Sequence, residues 1–376
     1  MKKNEFIEAL RAKLIALNAQ DIERSLDYYS EIIDDCMEDG MTEDEAVAQV
    51  GTVEEAVVNI VDELSVPNMK PAQLEEKKTA PAGGASYMGI AFDSLHIEDA
   101  ESDVILIPSQ DGGCCVEWNE KLPHTAEVVC GVLTVKRLTE RKWFQFFSLH
   151  GEQAKLIVRM PAGKYNDLFA STASGDIRIS ADFAFNTSEV HSASGDVEFY
   201  AGTVEKLRAK STSGDVKVES VSPLEMELSS VSGDVNCACV KAKTGLSIKT
   251  VSGDIEAADL DCGSLLVKSV SGDIKLDKTV ADAVTAETIS GDVSFRVTIG
   301  TKTMNVRTTS GDVRFTGCDG GEINVKTSSG SVHGSLLTGK MFHCTSHSGS
   351  VNVPAPTPGG ICSVTSSSGS IRLKVE

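Results

Sequence analysis

Residues 230–274 read SVSGDVNCACVKAKTGLSIKTVSGDIEAADLDCGSLLVKSVSGDI, three copies of a Ser-Gly-Asp unit whose glycines are Gly233, Gly253 and Gly272. Followed in both directions, the unit recurs eleven times, as Ser-Gly-Asp or, near the end, Ser-Gly-Ser. Its glycines fall at 175, 195, 214, 233, 253, 272, 291, 311, 330, 349 and 369, so every step is 19 or 20 residues. A period held this tightly means that one structural unit is stacked on copies of itself.

Alignment on the glycine shows which positions face inward. Five residues before it every copy is apolar, from Ala170 through Ile248 to Val364. Seven before it Ser188 is the sole polar residue, and two after it every copy has Ile or Val. Apolar residues two apart have the strand period with one buried face. The same alternation sends the third and first residues before the glycine inward, where each copy has Ser or Thr, as in Thr172 and Ser174 or Ser211 and Ser213. The alternation slips by one residue at Gly-Asp, which marks a corner where glycine permits a backbone shape that other residues resist. Hydroxyls at such a corner can bond to the coils above and below.

These features predict a mainly β fold, a single-stranded β-solenoid with 19–20-residue coils, in which each strand pairs with its counterpart about 4.8 Å away. Propeller blades need about 40–45 residues, and the Leu-x-x-Leu-x-Leu frame of leucine-rich repeats is absent. Eleven coils span roughly 50 Å on this spacing.

The flanking sequence divides the rest of the chain. Residues 1–66 read as four short helices, with Phe6, Leu10, Leu14 and Leu17 on one face, Asn18 and two capping boxes (Thr42 with Glu45, Thr52 with Glu55) as starts, and Gly40 as a stop. Seventeen acidic against five basic residues give this segment −12 of the chain's −20. Residues 67–86, with Pro67, Pro71 and Pro81, have linker composition. Residues 87–165 are β-patterned without the repeat signature and read as irregular coils capping the solenoid, with the aromatic run at 143–147 plugging its end. Residues 166–376 are the regular solenoid.

No secretory signal or membrane-length apolar run is visible, which predicts a cytoplasmic protein attached to a membrane only through a partner. Ten cysteines without such a signal fit a reducing compartment, with Cys237, Cys344 and Cys362 as small inward residues. The acidic balance argues against direct nucleic-acid binding. No residues are assigned to catalysis or to a cofactor. Cys114-Cys115 and Cys237-Ala-Cys239 lack zinc spacing, and His343 and His347 are too far apart along a strand to share an ion.

Two surface columns are candidate sites. Asp176, Asp196, Asp215, Asp234, Asp254, Asp273, Asp292 and Asp312 stack eight carboxylates in line. They either bridge divalent cations or accept backbone N–H bonds at their own corners, and the second is the favoured reading. Val231, Val251, Val270 and Ile289, two before the glycine in four successive copies, form a β-branched stripe suited to docking a protein partner. The C-terminal strand 371–376 has no visible cap, so its charges guard the edge or the edge pairs with another chain end to end.

The Ser-Gly-Asp-Val/Ile repeats over residues 90–376 resemble the bacterial "putative adhesin" family DUF4097, which implies a right-handed solenoid of undetermined biochemistry. Residues 1–66, notably Tyr28-Tyr-Ser-Glu-Ile-Ile33, Glu38-Asp-Gly40 and Glu45-Ala-Val-Ala-Gln-Val-Gly51, resemble the helical signalling domain DUF1700, also called HAAS. That resemblance implies association with PadR-type transcription regulators or with a membrane protein. The combined reading is a non-enzymatic interaction or scaffold protein, with a surface adhesin exported by a non-classical route and a polysaccharide-acting solenoid enzyme as alternatives.

Overall fold

The computed structural model describes residues 2–13, single positions between 26 and 47, residues 84–87, 91–138 and 154–376. The chain divides into two compact units, Met1–Lys77 and Lys78–Glu376. In the first, the helix Lys3–Lys13 buries Phe6 and Leu10 completely, one turn apart. Leu26, Ile33 and Val47 are also helical and buried. Leu14, Leu17, Asn18, Gly40, Glu45 of the first capping box, the second capping box and the aromatic run at 143–147 lie outside the described residues.

The second unit is a β-solenoid of about ten turns. Its register is that of the glycine alignment. Val235–Lys249 runs parallel to Ile255–Lys268, which runs parallel to Ile274–Glu287, with Ile248 against Val267 and Val267 against Ala286. The inward apolar columns merge into one continuous core. A column four residues after the glycine joins them, and in it Phe295 and Phe315 stack with ring centroids 5.3 Å apart.

The Ser-Gly-Asp corner differs in detail from the sequence reading. The repeat glycines do not occupy left-handed backbone. They are required because a Cβ on any of them would collide with the preceding coil, as on Gly253, where it would stand 2.5 Å from the carbonyl carbon of Gly233. The hydroxyl three before the glycine is buried in every copy but Ser346, accepts the glycine N–H, and in all copies but Thr172 and Thr327 also donates to the glycine carbonyl of the adjacent coil. Ser211 Oγ accepts the Gly214 N–H at 3.0 Å and donates to the Gly195 carbonyl one coil back at 2.9 Å. The serine one before the glycine, expected inside, is exposed in Ser174, Ser213, Ser232 and Ser252, because the chain is already turning there.

A second corner lies six residues after the glycine. Ser220, Cys239, Asp259, Lys278, Val297 and Gly317 all adopt left-handed backbone, with φ between 45° and 63°. The six share a position and no side-chain type. A third break is a bulge, as between Ala242 and Gly245.

The two ends depart from sequential stacking. At the N-terminal end, Ser94–Glu98 pairs with Val132–Arg137 on one side and with Gly163–Thr172 on the other, so the first coil lies second in space. At the C-terminal end, Ile361–Ser366 is held between Val313–Thr327 and Met341–Ser346. The glycine column confirms the order, with Gly369 against Gly330 and Gly349 against Gly369. The last coil is therefore internal. Ile371–Val375, read above as the open edge, is flanked by Val332–Leu336 and Val351–Asn352, and the exposed edge belongs to the penultimate repeat. The strand Gly84–Tyr87, pairing with Cys114–Glu117, likewise begins inside the stretch read as linker.

Candidate functional site: three rows along the corner

Because the chain turns outward across the corner, three rows run parallel along the solenoid: the residue two before the glycine, the serine one before it, and the aspartate after it. Coil stacking fixes their spacing. Val251 N–H donates to Val231 O, Val270 to Val251 and Ile289 to Val270, each at 3.2 Å. The side chains that follow are open to solvent: Val231 is 45% exposed, Val251 43%, Val270 39% and Ile289 51%. The structure thus brings all four together on one surface. Beyond them the row changes to Ala173, Ala193 and Thr212 at one end and Thr309 at the other, so the apolar segment is bounded.

The aspartates form the ladder that the spacing predicts, but they act between coils rather than within one. Oδ1 of each accepts the backbone N–H of the next aspartate: Asp196 from Asp215 at 2.8 Å, Asp215 from Asp234 at 2.7 Å, and so through Asp292 from Asp312 at 2.8 Å. Asp103 heads the ladder, accepting from Asp176 at 3.1 Å, although it belongs to no repeat. Burial and, more weakly, the charge of Asp176 push its carboxyl upward, against the pull of the Asp176 N–H. Ser331 N–H accepts the same role below, donating to Asp312 Oδ1 at 2.7 Å. Each carboxylate therefore spends one oxygen on the backbone, which accounts for Asp without a cation. Among the described residues no three His, Cys, Asp or Glu side chains converge as metal ligands.

On the neighbouring face a groove of about 720 Å³ crosses the coils. Its floor is low because Ala238 and Ala258 stand where adjacent coils carry Glu219, Asp277 and Arg296. Several of its charges are paired between neighbouring coils. Lys275 Nζ lies 2.7 Å from Glu256 Oε1, and the Arg296 guanidinium is bidentate on Asp277.

Sequence reading missed two polar side-chain pairs, each at a rearranged end. His124 Nε2 lies 2.7 Å from Asp99 Oδ2, and its Nδ1 lies 2.8 Å from the Leu122 carbonyl, with both side chains fully buried. Asp99 is buried, which opposes ionisation, yet the His124 ring and the N–H groups of Ser102 and Glu101 hold its carboxyl well below the usual range. Lys340, also buried, sits 2.6 Å from Asp319 Oδ1 and 2.9 Å from the Gly359 carbonyl. Both pairs are struts: His124 with Asp99 is sealed from solvent, whereas the Asp319 carboxylate is partly open to it. Cys237 and Cys362 are buried free thiols, and burial pushes the latter up to about 12.

These features define a parallel β-solenoid whose distinctive chemistry is spread along its outer surface. The chain matches Toastrack DUF4097 over residues 92–297 and 259–376, and it belongs to that family. No curated protein matches it. Solved structures with similarity include a "putative adhesin" from Parabacteroides merdae, 11% identical, covering 68% of this chain and 95% of that one with a TM-score of 0.35. Two others come from Parabacteroides distasonis. One is a "putative lipid binding protein", 14% identical over 77% and 96% of the chains, TM-score 0.32. The other is a "putative adhesin", 9% identical over 77% and 95%, TM-score 0.35. Among the described residues no helix is long and apolar enough to cross a membrane.

Proposed function

We propose that the protein is a non-enzymatic binding module in which the rigid solenoid presents the stripe of Val231, Val251, Val270 and Ile289 to a protein partner. The carrying observation is that four large β-branched side chains stay exposed on successive coils, each held in line by the backbone ladder. Holding them costs the partner little ordering entropy, because the scaffold is already fixed. The flanking Ser and Asp rows supply a polar rim to an apolar centre, the usual anatomy of a non-obligate interface. The acidic segment 1–66 serves as the regulatory, HAAS-like module, linking the solenoid to a PadR-type system or to a membrane protein on the cytoplasmic side. Adhesion at the cell surface uses the same stripe in another compartment.

A photo-crosslinking residue placed at Val251 in native cells tests this reading, with Lys241 on another face as control and cell fractionation to locate the product. A discrete adduct from position 251, absent from 241 and lost when Val231 and Val270 become lysine, is expected. Equal labelling from both positions, or an adduct indifferent to the lysines, refutes the docking stripe. An adduct found only with intact cells' surface material replaces the scaffold with the adhesin.

A further inference from the structure

Among the described residues, the coil made by Met341–Ser346 and Val351–Asn352 is the outermost at the C-terminal end, paired on one side only. We propose that this edge pairs with the same edge of a second copy of the chain, closing a two-fold dimer through antiparallel Met341–Ser346 strands.

Four observations carry the proposal. First, the edge is unfinished. Phe342, Cys344 and Val353 pack against the core but remain half-buried, whereas Ile323, Val325, Cys362 and Val364 in the adjoining coils are buried. Met341 is 45% exposed and Val351 42%. The Met341 N–H donates inward, to Gly360 O at 2.8 Å, so strand alternation turns the backbone groups of Phe342 and Cys344 to the free side. Second, the usual guards are missing. Native edges are blunted with charge, yet residues 341–371 contain no Asp, Glu, Lys or Arg in a chain with 35 basic and 55 acidic residues. Pro354, Pro356 and Pro358 block only the stretch after Asn352. Third, the carboxylate ladder stops short of this end. Ser331, Ser370 and Ser350 continue it with hydroxyls, Ser350 N–H donating to Ser370 Oγ at 3.3 Å, so no unneutralised carboxylate reaches the seam.

The fourth observation selects the occupant. At the other end the outer strands Val132–Arg137 and Lys155–Met160 already carry the antiparallel strands His124–Val129 and Cys114–Glu117. A head-to-tail stack needs a free parallel edge there, and among the described residues there is none. The complementary surface that the chain itself supplies is the same C-terminal edge, and a strand pairs with its own copy antiparallel about a two-fold axis. Such an isologous contact closes at two copies.

The test is sedimentation of the full chain over a wide concentration range, with Thr345→Glu and Met341→Lys as variants; both positions are exposed and point away from the core. The expected result is a dimer for the unaltered chain and a dissociation constant raised at least about tenfold in each variant, since each places an unpaired charge in a seam that has none. A chain that is monomeric throughout, a dimer that both variants leave intact, or open-ended larger species overturns the proposal. Amide exchange on the unaltered chain gives a reading that needs no variant. Slow exchange at Phe342 and Cys344 under dimer-forming conditions is expected, and exchange at exposed-loop rates contradicts the seam.

Discussion

Replacing Gly253 by alanine puts a single methyl group where the solenoid has no room for one. The added Cβ stands 2.5 Å from the Gly233 carbonyl carbon and 2.9 Å from the Asp234 nitrogen, all backbone that no rotamer change can move. Carbon atoms rest at about 3.5 Å, so the coils must part by about 1 Å at this corner. Among the bonds that cross the same step, three lie nearest the added methyl: Thr250 Oγ1 to Gly233 O at 3.1 Å, Asp254 N to Asp234 Oδ1 at 2.7 Å and Ser252 N to Val231 O at 3.0 Å. An added ångström takes all three beyond hydrogen-bonding range. At about 1 kcal/mol each the loss is about 3 kcal/mol, reduced by about 0.5 kcal/mol because alanine restricts the unfolded chain. Gly202→Ala is the matched control, since its Cβ would meet nothing nearer than Ala184 Cβ at 3.4 Å and its backbone is not left-handed. Urea unfolding followed by far-ultraviolet circular dichroism should show Gly253→Ala destabilised by 2–3 kcal/mol, on the order of the bonds lost, and Gly202→Ala near the unaltered chain. If Gly253→Ala unfolds at the same urea concentration as Gly202→Ala, the steric account of the repeat glycine is wrong.

Other substitutions probe other links. Val297 is β-branched, left-handed and 48% exposed, so Val297→Asn should stabilise by about 1 kcal/mol, read as a higher urea midpoint with unchanged slope. Asp254→Asn keeps an acceptor for the Asp273 N–H, whereas Asp254→Ala removes it and should cost about 1–2 kcal/mol; equal stability of the two variants would show that the ladder bond contributes nothing. His124→Ala strands the Asp99 carboxylate in the core and should cost about 3–5 kcal/mol. Because the folded carboxyl of Asp99 is held below its unfolded value of about 3.9, its contribution is complete above that pH and lost as pH falls toward the folded value. Asp99→Asn should therefore flatten the loss of stability between about pH 5 and pH 2, and an unchanged acid limb would contradict the pairing.

Much of this architecture is legible in the spacing alone, because a coil stacked on itself must repeat its inward residues in register. Ile248, Val267 and Ala286 align in sequence and in space for the same reason. The corner is legible only in part. Ser213 and Ser211 have the same side chain two residues apart, and only the turn between them sends one out and the other in. The left-handed corner leaves no trace because Ser220, Cys239, Lys278 and Val297 have nothing in common except position. Nor can spacing reveal spatial order at the ends: Gly349 and Gly369 carry equivalent motifs, so either could be outermost. His124 with Asp99 and Lys340 with Asp319 are fixed by those end arrangements and inherit their illegibility. The exposed valine stripe was visible, since β-branched residues at an outward position have no packing reason to recur four times.

The interleaved last coil has a mechanical consequence. In a simple stack, tension on the C-terminus peels the outermost turn away from one neighbour, one bond after another. Here the turn that takes the load is clasped on both faces, between Val313–Thr327 and Met341–Ser346. It can leave only by shedding two ladders together, or by dragging the outer turn with it. A tether attached at that terminus would pull on a dovetail rather than on a loose flap.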